Sequence, residues 1–293
     1  MDSAAFDKNL SPSSCRCEKG MTIIELLVSM TVGLILITAA WSFIVTQTAN
    51  FEENRQVAEM QQELRWAMQY VSEHLRLAGN AVPSTSGWQV IENIDGVGGA
   101  SDSLVVLGSS RSLVVSATQT MGNEGAQVVV SPVDGISTGD LIVISDGTFS
   151  EIFYVTEIRA DHLYHDTYLP YNDDFKLTHR YVAGSTVTVV SHYSFFVATD
   201  EQGHPNLMTK TQAYPPQILG GDIEYFQIRF KMKSGSWQNT VLSNEVYDIR
   251  QIEITLRARS PKPIRNYQDP VYGDAYKRLE LKSIVIPKNI VVI

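Results

Sequence analysis

The sequence predicts an α+β protein. One long N-terminal helix, transmembrane in its first half and amphipathic in its second, packs on an antiparallel β-sheet that carries a β-rich insertion. Three observations predict it. An apolar run over residues 21–45 holds a single ionisable residue, Glu25. An apolar stripe at helical spacing follows that run. From residue 104 onward, short β-type runs alternate with turn-forming Gly and Asp.

The apolar run comes first in the chain. As a helix it spans about 37 Å at 1.5 Å per residue, enough for a bilayer's hydrocarbon core. Trp41 and Phe43 stand near its far end, where amphipathic rings favour the interface. Lys8, Arg16 and Lys19 precede it, and Glu52 and Glu53 follow it. The positive-inside bias therefore puts the leader in the cytoplasm and the body outside. A secretory signal peptide fits poorly, because the run is too long and Glu25 interrupts it. A plain anchor gives no reason to keep a carboxylate that costs roughly 2.5–3.5 kcal/mol in a membrane helix.

The helix is expected to continue beyond the membrane. Val57, Met60, Leu64, Ala67, Val71, Leu75 and Ala78 recur at spacings of three and four, which makes one apolar stripe. Gly79-Asn80 and Pro83 supply a stop signal. The whole helix would measure about 85 Å. His74 falls beside the stripe with no second ligand one turn away, so a partly exposed histidine is expected there. Residues 83–100 read as a loop.

Strands are expected at 104–107, 113–117, 127–130, 141–145, 151–158, 187–190, 193–198, 223–231 and 249–257. In the last two, apolar side chains alternate with polar ones, as a half-buried strand requires. The resulting organisation is a leader (1–20), a membrane half-helix (21–46) and an outer amphipathic half-helix (47–80). A loop (81–103), a β-rich insertion (104–186) and a longer-stranded sheet (187–293) follow; that sheet is expected to pack on the stripe.

Composition limits the function. The net charge is −9, the leader is neutral, and no basic stripe with interleaved aromatics is evident, so nucleic acid is not an expected partner. Cys15 and Cys17 form a Cys-x-Cys without the two further ligands of a metal site. The segment Asp161-His162-Leu163-Tyr164-His165-Asp166, with His179 near it in sequence, reads as a hairpin. Residues i and i+3 on a strand point to opposite faces, so its histidines should not converge. Asn172-Asp173-Asp174 and Asp200-Glu201 lack the spaced oxygens of a calcium loop. There is no nucleophile elbow, phosphate loop or dinucleotide fingerprint. No catalytic residue, cofactor or metal is expected.

Lys19-Gly20 followed by Met21-Thr22-Ile23-Ile24-Glu25-Leu26-Leu27-Val28 resembles the processing site of type IV pilins and type II secretion pseudopilins. The resemblance implies that a prepilin peptidase/methyltransferase cuts between Gly20 and Met21 and N-methylates Met21. It makes Glu25 the fifth mature residue, paired with the terminal ammonium of a neighbouring subunit to set assembly register. In low dielectric such a pair recovers much of the burial cost. Met21 replaces the phenylalanine usual in major pilins, and Ser42 stands where they often carry a proline. In the back half, Tyr193-Ser194-Phe195-Phe196-Val197, Leu219-Gly220-Gly221-Asp222, Arg259-Ser260 and Pro287-Lys288-Asn289 follow the order of PilW-like minor pilins.

That family implies an inner-membrane protein with a periplasmic body, later part of a pilus fibre or its tip. Implied partners are other minor pilins, the major pilin, the inner-membrane assembly platform, a tip adhesin and membrane lipid. The J-type pseudopilin of type II secretion is the alternative. A bitopic anchored β-domain that binds a ligand, and an anchored hydrolase, are more distant ones.

Overall fold

A computed structural model describes residues 21–83, 88–109, 113–125, 127–166 and 176–290. The leader with Cys15, Cys17 and Gly20, and the segment Asn172-Asp173-Asp174, lie outside the described residues. The chain divides into two compact units, Met1–Glu53 and Asn54–Ile293. Helix α1 (Ile23–Leu77) contributes to both.

In the first unit α1 is apolar around its whole circumference, and its large side chains from Ile23 to Val45 are exposed. Five of its hydroxyls bond within the helix. Ser29, Thr31, Thr38, Thr46 and Thr48 each donate to a carbonyl three or four residues back, at 2.8–3.0 Å. Such back-bonding lets a helix carry hydroxyls where water is absent. The helix is long and apolar enough to cross a membrane.

In the second unit α1 has an inside. Met60, Leu64, Val71 and Leu75 are buried, and Val57 packs half-buried against the same cluster. The helix stops at Leu77, and Gly79 adopts φ +75°, a conformation that favours glycine. A Cβ at that glycine would stand 2.9 Å from Ile290 Cγ2, so the turn is also crowded. His74 departs from expectation: it is buried, with ring centroids 4.3 Å from Tyr70 and 4.0 Å from Tyr193. The buried face of the helix is wider than the stripe alone, and an aromatic side chain one step off the stripe still reaches it.

The larger sheet is antiparallel with eleven strands. They are β1 (Ile91–Ile94), β2 (Ser103–Gly108), β3 (Val114–Ala117), β4 (Val128–Ser131), β5 (Leu141–Ser145) and β6 (Ser150–Tyr154). After them come β7 (Glu157–Arg159), β8 (His162–Tyr164), β9 (Thr186–Thr199), β10 (Pro205–Lys210) and β11 (Gln217–Gly220). Strand β9 organises the rest. Its first half pairs with β3 and β5, its second with β2 and β10. The two strands expected at 187–190 and 193–198 are therefore one, because Ser191-His192 continue the strand with no turn former between them. The strand expected at 151–158 is two, β6 and β7. Within the stretch read as loop, β1 pairs with β2.

A second sheet has the order β13-β12-β14-β15, with β12 (Ile223–Met232), β13 (Trp237–Gln238), β14 (Ile249–Arg259) and β15 (Arg278–Val285). Phe226, Ile228 and Phe230 of β12 and Ile252, Ile254 and Leu256 of β14 join the helix stripe in one core. A smaller core gathers Val115, Val128, Ile142, Phe153 and Val187.

Asp102 fastens the two sheets together. Strand β13 pairs only with Phe230 and Lys231, leaving the rest of that β12 edge open. The Asp102 N–H donates to the Phe226 carbonyl at 2.7 Å, and its carboxylate accepts from Ile228 N at 2.7 Å and Gly96 N at 3.0 Å. Burial pushes its pKa up, against the opposing pull of these two N–H donors.

Candidate functional site

The head of α1 is the candidate site. Met21 is exposed and precedes the helix, and Thr22 sits at its N-cap. Thr22 Oγ1 accepts from the backbone N–H of Glu25 at 3.3 Å, satisfying one of the helix's unpaired donors. Thr22-Ile23-Ile24-Glu25 has the spacing of a capping box, with Glu25 at the third helical position. A carboxylate in the first turn also complements the positive end of the helix dipole. Glu25 thus has a local stabilising role besides any intersubunit one. The Thr22-x-x-Glu25 spacing is the sequence signal for this role.

Glu25, Ser29 and Gly33 are spaced by four and line one shallow groove with Val28, Val32 and Leu36. Small residues at such spacing let another helix approach closely in a membrane. Nothing stands within 4 Å of where a Gly33 Cβ would be.

The other sequence candidates do not assemble into a site. His162 Nδ1 pairs with Asp161 at 2.7 Å, while His165 packs its ring 5.5 Å from Phe153. His179 Nε2 donates to Asp146 at 2.8 Å and stacks under Phe149. Asp200 is engaged in the β9–β10 turn, accepting from His204 N at 2.8 Å, and these backbone N–H donors hold its carboxyl below the usual carboxylate range. Among the described residues, no group of three or more His, Cys, Asp or Glu is placed to hold a metal ion.

Sequence reading missed an arginine–tyrosine ladder on the outer face of the second sheet. Arg257 lies over Tyr225 and Tyr272, Arg278 over Tyr272 at 4.0 Å, and Arg259 over Tyr276. Glu224 accepts from Arg257 and Arg278, and Asp274 takes two bonds from Arg278 at 2.7 Å. Those bonds hold the Asp274 carboxyl down to about 2. The charges of Arg257 and Arg278 are met by Glu224 and Asp274, which makes the ladder a clamp on the β14–β15 connection.

A family model described as the prokaryotic N-terminal methylation motif matches residues 15–41. The match spans the Gly20–Met21 bond and the apolar part of α1 as far as Trp41. The chain is also similar to the type IV-like pilin TTHA1219 from Thermus thermophilus, with 11% identity and a TM-score of 0.40, over 79% of this chain and 98% of that one. No curated protein matches.

Proposed function

We propose that the chain is a minor type IV pilin of the PilW-like kind, a non-catalytic filament subunit. A prepilin peptidase/methyltransferase cuts between Gly20 and Met21 and methylates the new amino terminus. The subunit then stands in the inner membrane with its body in the periplasm. With other minor pilins it primes pilus assembly and stays at or near the tip.

One observation carries the proposal. The methylation motif opens a helix that is apolar on all sides, internally hydrogen-bonded and bare of protein contacts through its first half. Such a surface requires lipid or neighbouring helices. Glu25 on the small-residue face meets the terminal ammonium of an adjoining subunit there. The stripe of Val57, Met60, Leu64, Val71 and Leu75 holds the body on the helix.

The test is processing in a strain with active peptidase. Gly20→Trp should accumulate as uncut precursor, and normal processing would refute the assignment. Glu25→Ala should be cut normally yet join partner pilins poorly; unchanged assembly would remove the pairing role.

A further inference from the structure

We draw no further inference here: the strongest candidate, the outer side of the edge strand β15 with the exposed Ile284 and Ile286 at its end, carries nothing, because nothing in the structure shows what covers it.

Discussion

The two halves of α1 obey opposite rules. Before Glu53 the helix has no inside: its leucines and isoleucines are exposed, and hydroxyls such as those of Thr31 and Thr46 bond back to its own backbone. After Asn54 the same helix has a buried face, and Met60, Leu64, Val71 and Leu75 belong to a core shared with two sheets. The difference shows what each half requires of its surroundings. The outer half is stabilised by its own chain, whereas the inner half must find apolar cover elsewhere, in lipid or in other helices.

The sharpest way to test this contrast is to truncate one leucine in each half. Leu64→Ala should destabilise the body by about 2–5 kcal/mol, because it opens a cavity in a packed core. Leu34→Ala should leave the body's thermal melting unchanged. Equal shifts in calorimetry would break the comparison. Next in size is Asp102→Ala, which strands one backbone donor on the β12 edge, Ile228 N–H, and one in the β1–β2 connection, Gly96 N–H, and should cost about 2–4 kcal/mol. The membrane half should not sense it, so detergent-extracted protein should keep its full helical signal in that segment.

The body should also be acid-sensitive. Burial lowers the His74 pKa and brings that of His192 to about 4, against 6.5 when unfolded. The unfolded chain binds these protons and the native one refuses them. Stability is therefore unaffected above pH 6.5 and falls as pH drops from 6.5 toward 4. For His192 the slope is at most about 1.4 kcal/mol per pH unit. Melting curves of His192→Gln should be flatter across that window; an identical slope would contradict the assignment. The smallest effect belongs to Thr22→Val, which removes an N-cap worth about 1 kcal/mol to the helix start and should leave the body's melting unaltered.

Much of this was legible in the sequence where the signal is local. The apolar run, the stripe at spacings of three and four, the Gly79 stop and the alternation in β12 and β14 each follow from a short periodicity. The motif around Gly20 and Glu25 is contiguous. What escaped depends on partners far apart in sequence. Strands β1 and β11 have four residues each and exist because β2 and β10 accept their hydrogen bonds. The arginine–tyrosine ladder joins residues from Glu224 to Arg278 through the register of three strands, where Arg257 faces Glu280 and Arg259 faces Arg278. His74 looked partly exposed because the rings that bury it include Tyr193, more than a hundred residues away. Asp102 gave no signal of its role between the sheets, since Phe226 and Ile228 lie more than a hundred residues away on the other sheet.

The central claim is that the mature chain starts inside the present sequence, at the head of α1. Intact mass and N-terminal analysis of protein extracted from membranes tests it most directly. The account predicts a chain beginning at an N-methylated Met21, shorter than the full sequence by the twenty residues of the leader. A mature chain that still begins at Met1 would contradict it.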